Sequence, residues 1–131
     1  DLFHIGHLNM FKRAKEQCRY LIVGVVSDEG VRLNKQAGPF VPFDERIEMV
    51  RSCKYVDEAI KLPLDFCGTR DMFKIYHFDV QFSGSDYEHD PAWLAEKEFL
   101  EKNGSTMVFF PYTQSTSSTK LKRAIENRIN N

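Results

Sequence analysis

The chain has 131 residues, enough for one domain with its own core, and 42% hydrophobic with 28% charged residues marks a globular rather than a disordered protein. With 18 Lys and Arg against 19 Asp and Glu, the formal net charge is -1, so no global field draws the chain to nucleic acid or an anionic membrane. No apolar run approaches membrane-spanning length, and three cysteines (Cys18, Cys53, Cys67) without a C-x-x-C pair lead to the expectation of reduced thiols in a cytoplasmic setting.

Residues 4–17 read as a helix, with Leu8, Phe11, Ala14 and Lys15 near helical spacing. YLIVGVVS (20–27) is a continuous, largely β-branched run, expected to be a strand buried on both faces of a parallel sheet. The segment after it is expected to be a loop, carrying Lys35 and ending in QAGPFVPF (36–43), where a glycine and two prolines break regular structure. DERIEMVRSC (44–53) opens on an N-cap type and reads as a helix with Ile47, Val50 and Met49 inward. VDEAIKL (56–62) reads as a strand, 68–77 as a helix, and DVQFSG (79–84) as a strand ending in glycine. PAWLAEKEFLEKN (91–103) is a helix with proline in its first turn and Asn-Gly at its end. STMVFFP (105–111) is a strand, and SSTKLKRAIENRI (117–129) a closing helix. Strands alternating with helices predict an α/β single domain with a doubly wound parallel sheet, Rossmann-like in type.

Ligands of such sheets bind at the carboxyl ends of the strands. The loop after 20–27, GSDY after 79–83 and PYTQSTSST after 105–111 should lie there, with the His4–His7 segment at the same edge. In DLFHIGH (1–7), His4 and His7 fall one helical turn apart, so both imidazoles share a face. Unpaired backbone N–H groups at that helix start suit a phosphate, Gly6 lets a ligand approach the backbone, and two imidazoles can donate to charge growing on a phosphoryl group. No further His or Cys stands at zinc-like spacing, which disfavours a metal site. In QSTSSTK (114–120), Ser117, Ser118 and Thr119 precede Lys120 at a second helix start, where they can cap the helix or cradle an anion. Asp86, in GSDY (84–87), can accept hydrogen bonds from a sugar or base, or serve as a turn residue. Two phosphate cradles, a mobile cation at Lys35 and a carboxylate at one sheet edge describe a nucleotide site.

The D-x-x-H-x-G-H pattern of residues 1–7 resembles the signature of the nucleotidyltransferase superfamily. NK (34–35), ER (45–46), KYVDE (54–58), GSDY (84–87) and STSSTK (115–120) follow in the order of its cytidylyltransferase branch, whose members act on glycerol 3-phosphate, phosphocholine or phosphoethanolamine. The resemblance implies that CMP is transferred from CTP to a small phospho-alcohol, foremost glycerol 3-phosphate, with release of pyrophosphate. It implies that His4 and His7 stabilise the α-phosphate and that Lys35 bridges the phosphates of donor and acceptor. Asp1, Gly6 and Arg46 would lie near the nucleotide, Asp86 would contact the nucleoside, and Ser117, Ser118 and Thr119 would hold the β- and γ-phosphates. Mg²⁺ would be carried by the CTP phosphates, with no protein metal site. KYVDE would lie at a homodimer contact, and neither nucleic acid nor membrane is an expected partner. Because the acceptor phosphate is already anionic, positioning and charge stabilisation should dominate over general-base catalysis.

Three departures accompany the resemblance. Tyr112 stands where the family has arginine, implying that Lys120, Lys122 or the bound Mg²⁺ supplies the missing charge near the polyphosphate. Ser85 replaces the first of two aspartates. The strand that precedes the signature in the family is not among these residues, which implies about ten more residues ahead of Asp1. On that strand order, 20–27 and 79–83 should not pair directly. The same fold also accommodates an adenylyltransferase, and a non-catalytic nucleotide-binding domain is the alternative of a different class. Class I aminoacyl-tRNA synthetases share the histidine motif, but the chain lacks a KMSKS motif.

Overall fold

Every apolar run that alternates with an amphipathic segment becomes a strand, and each strand finds a parallel partner. The computed structural model describes residues 2–35, 38–62, 68–111 and 117–130, with backbone alone for 33–35. Its elements are α1 (Ile5–Glu16), β1 (Ile22–Val26), α2 (Asp28–Lys35), α3 (Phe43–Arg51), β2 (Glu58–Leu62), α4 (Thr69–Tyr76), β3 (Val80–Gly84), a 3-10 turn (Ser85–Tyr87), α5 (Pro91–Lys102), β4 (Thr106–Phe110) and α6 (Ser118–Asn130). They divide into two units. One holds α1 to β2 together with α6, the other α4 to β4.

In the first unit β1 pairs in parallel with β2, from Ile22 opposite Glu58 to Val26 opposite Leu62. Val25, Ile47 and Val50 are buried together, with Phe3, Phe11, Val23, Phe43, Val56 and Ala59 packed around them. The helices α1 and α3 thus cover the strand pair. Met49, expected to face inward, is 46% exposed, because positions 47 and 50 already define the buried stripe of α3 and 49 falls off it. Nor is β1 buried on both faces: Val25 is buried, but Gly24 is exposed. The aspartate of KYVDE works within the chain. Asp57 pairs with Lys15 at the end of α1, and its Oδ2 accepts from the Leu21 amide at 2.7 Å. The Lys15 ammonium holds the Asp57 carboxyl below its usual range.

In the second unit β3 pairs in parallel with β4, from Val80 opposite Thr106 to Gly84 opposite Phe110. Leu100 of α5 is fully buried, Met107 and Phe110 of β4 are nearly so, and Phe73 meets Phe78 and Phe99 edge-on. The parallel pairing expected of a doubly wound sheet is present in both units. A continuous sheet through all four strands is not formed among the described residues, and β1 and β3 belong to different pairs.

The loop expected after β1 is instead largely α2. Its signal lay in Ser27-Asp-Glu, a hydroxyl N-cap followed by two acids in the first turn. Ser27 Oγ accepts from the Gly30 amide at 3.1 Å, and its carbonyl accepts from Val31 at 2.9 Å. Gly30 masked the helix in sequence, since glycine disfavours helix by about 1 kcal/mol relative to alanine. Its place is set by packing: a Cβ there would lie 2.6 Å from Val26 Cγ1. Gly30→Ala should therefore lower stability by about 1–2 kcal/mol, because overpacking against a stiff valine outweighs the gain in helix propensity. Urea unfolding measures it; a variant as stable as the parent or more so would show that α2 does not pack on β1 in this way.

Candidate functional site

The start of α1 is closed by its own histidines. His4 is the N-cap, in extended backbone, and its side chain accepts from the Gly6 amide at 3.0 Å and from the His7 amide, three residues into the helix. His7 Nδ1 in turn accepts from the His4 amide at 3.2 Å. Two imidazoles thus form the reciprocal box that Ser or Thr with Glu usually forms. The rings lie 4.0 Å apart between centroids, and Phe3 stacks on His7 at 5.8 Å with 13° between planes. The unpaired helix amides expected here are therefore corrected in part. Those of Gly6 and His7 donate to His4, and the pair offers its imidazoles instead. Because both rings accept at Nδ1, each neutral ring carries its proton at Nε2, on half-buried imidazoles at the positive end of a helix. This donor set suits an anion and not a metal ion. Burial pushes the His4 imidazole below its ordinary value of 6.5.

The start of α6 comes to the same place. Ser118 Oγ donates to the Leu2 carbonyl at 3.3 Å, two residues ahead of His4. Ser117 caps α6, its Oγ accepting from the Lys120 amide at 3.1 Å and its carbonyl from the Leu121 amide at 3.0 Å. Thr119 is exposed in the first turn. The hydroxyls expected to hold phosphates thus have structural partners at Ser117 and Ser118, and what they bring about is the meeting of two helix N-termini at Leu2.

Arg46, expected near the phosphates, is 6% exposed, and each nitrogen of its guanidinium donates to a protein acceptor. Nε donates to the Val41 carbonyl at 2.9 Å, Nη1 to the Val26 carbonyl at 2.8 Å and Nη2 to Asp28 Oδ1 at 2.7 Å. The Asp28 carboxyl is held below its usual range by that bond. Lys35 is the last residue of α2 rather than a loop residue; its side chain lies outside the description, as do Asp1 and Tyr112 entirely. In the second unit Asp86 is exposed in the 3-10 turn that follows β3 directly, at the carboxyl end of that strand, and the next residue, Tyr87, stacks on Trp93 at 4.4 Å. Sequence reasoning passed over Phe3, which fixes the His7 ring, and Asp28, which pairs with Arg46. Phe3 had a signal as the aromatic residue directly before the cap, but Asp28 had none that distinguished it from a helix-start acid.

Comparison with known proteins follows the same lines. A family model described as cytidylyltransferase-like matches residues 1–124, across both units. The chain belongs to the cytidylyltransferase-like family. It is 33% identical over 98% of its length to the ethanolamine-phosphate cytidylyltransferase of Dictyostelium discoideum, of which it spans 36%. It is 34% identical over 98% of its length to the FAD synthase of Thermococcus kodakarensis, covering 86% of that protein. To the glycerol-3-phosphate cytidylyltransferase of Bacillus subtilis it is 31% identical over 95%, covering 90%. Among solved structures it resembles a lipopolysaccharide core biosynthesis protein from Thermoplasma volcanium, with a TM-score of 0.67 over 88% of this chain and 91% of that one; at 24% identity this likeness shows the fold alone. By family, this cytidylyltransferase-like chain is a nucleotidyltransferase domain. No helix among the described residues is long and apolar enough to cross a membrane.

The histidine box requires neutral rings, since a protonated imidazole has no lone pair to accept a backbone N–H. The folded state favours neutral His4, so its contribution to stability is complete above 6.5 and is lost as pH falls through the lowered value of the folded protein. Nitrogen-15 NMR at pH 7.5 should show both rings as the Nε2–H tautomer, with His4 titrating below 6.5. A proton on Nδ1 of either ring at that pH would contradict the arrangement.

Proposed function

We propose that this chain transfers CMP from CTP to a small phosphorylated alcohol, foremost glycerol 3-phosphate, giving CDP-glycerol and pyrophosphate. The observation that carries the reading is the meeting of the α1 and α6 N-termini at Leu2, with the His4–His7 pair capping α1 there. The triphosphate lies against the two helix starts. His4 and His7 donate from Nε2 to the α-phosphate, where charge builds up as the acceptor phosphate attacks and pyrophosphate leaves. Lys35 supplies a cation to donor and acceptor phosphates. Gly6 and the α6 start, with Ser117, Ser118 and Thr119, face the polyphosphate, and Asp86 and Tyr112 complete the nucleotide contacts. Mg²⁺ would be carried by the triphosphate, and the chemistry it would supply is charge neutralisation on the pyrophosphate leaving group. The working protein is a cytoplasmic homodimer, needing neither nucleic acid nor membrane.

Glycerol 3-phosphate is favoured by the Bacillus relative, most of whose length this chain covers at 31% identity. A second reading, adenylyl transfer from ATP by the same geometry, is favoured by the FAD synthase of Thermococcus kodakarensis, 34% identical and covered over 86%. Pyrophosphate release decides between them, with CTP or ATP as donor and glycerol 3-phosphate, phosphocholine, phosphoethanolamine, ribitol phosphate or FMN as acceptor. CTP with glycerol 3-phosphate should turn over fastest, and His7→Ala should lower kcat by about 10²–10³-fold with CTP affinity kept within a few-fold. Release from ATP alone would replace the first reading by the second. Binding of nucleotide without release from any pair would show a non-catalytic domain.

A further inference from the structure

Arg46 has the burial and charge of a ligand-binding arginine, yet all of its nitrogens donate to protein acceptors. Those acceptors are placed in a particular way. Val26 ends β1, Asp28 begins α2, and Val41 lies just before α3 begins. One guanidinium therefore ties together the departure and the return of the segment 27–41, whose helix α2 ends on Lys35.

Arg46 itself sits on a fixed base. It is on α3 between the core and the N-cap, beside the buried Ile47, and its guanidinium lies 5.9 Å from the Phe43 ring. The helix it holds is fixed at the same end by the Ser27 cap and by the close packing of Gly30 on Val26. Burying a guanidinium is costly, and a hydrophobic side chain of similar size often stabilises a core as well. A planar fork that reaches three separate acceptors gives something an apolar residue cannot, namely a fixed direction for the helix it holds.

We infer that Arg46 is a positioning residue for nucleotidyl transfer, which clamps both ends of the 27–41 segment through Val26, Asp28 and Val41 and thereby sets where α2 delivers Lys35. This rests on the role of Lys35 in the proposed function. Arg46 touches no substrate in this account, and its effect on the reaction passes through the lysine. Misplacing a reactive group by about 1 Å costs on the order of 10²-fold in rate, so a loosened clamp is felt in turnover.

A double-mutant cycle tests it, with kcat/KM and Tm measured on the wild type, Arg46→Lys, Lys35→Ala and the double variant, using CTP and the best acceptor found. Lysine keeps the charge but cannot reach three acceptors. Arg46→Lys should lower kcat/KM by about 10–100-fold in the wild-type background and by less than about two-fold in Lys35→Ala, while the Tm shifts of the two substitutions add. Equal losses in both backgrounds would overturn the inference and leave the role of Lys35 standing. An undiminished rate in Lys35→Ala alone would instead remove the lysine from the mechanism, and the inference with it. If Arg46→Lys does not fold, Asp28→Asn loosens the clamp while leaving both carbonyl contacts, and the same cycle applies.

Discussion

The reciprocal bond between His4 and His7 is the constraint on which the site depends. Each ring satisfies a backbone N–H of the other's residue, so the bonds that cap the first turn of α1 also orient both rings. The same bonds choose the tautomer. With Nδ1 accepting on each ring, the proton of each neutral ring is at Nε2, at the positive end of the helix dipole. In the proposed function, helix capping and phosphoryl recognition are one arrangement. Phe3 adds a flat surface under His7 and belongs to the aromatic layer that joins α1 to the β1–β2 pair. Burial keeps His4 neutral, which matters because a protonated pair would carry like charges into a position already electropositive.

Around that start, rigid bonds bring in the rest of the first unit. Ser118 ties α6 to Leu2, Ser117 caps α6, and Lys15 with Asp57 secures the far end of α1 to the beginnings of β1 and β2. The polar residues that read as ligand contacts in sequence are in several cases those that hold the elements in place. This is physically reasonable for a site built on helix N-termini. The proposed phosphate cradle needs few side-chain ligands, and it needs helix starts that do not move.

Most of the fold was legible because its elements are strongly patterned. The runs at 22–26, 80–84 and 106–110 carry β-branched or aromatic residues between turn signals, and α5 has its proline and glycine at the expected ends. Helix α2 was missed because Gly30 and a short length hid its Ser27 cap, a case where packing on Val26 overrides local propensity. The full burial expected of β1 rested on side-chain type, which says what a strand tolerates rather than what covers it. The histidine pair was legible as a shared face one turn apart, but its capping role was not, since histidine is an uncommon N-cap. For Arg46, a sequence shows that a cation is present, and only tertiary structure shows which carbonyls and which carboxylate accept from its guanidinium.

The claim that the capped histidines are themselves the phosphoryl donors is tested most directly by titrating nitrogen-15-labelled protein with CTP and following the imidazole Nε2–H and Nδ1 resonances. The account predicts that the Nε2 protons of His4 and His7 both move downfield as the nucleotide binds, that Nδ1 of each ring stays unprotonated, and that the amides of residues 117–120 shift with them. CTP binding that leaves both Nε2 resonances in place, or that protonates Nδ1 and opens the cap, would contradict it.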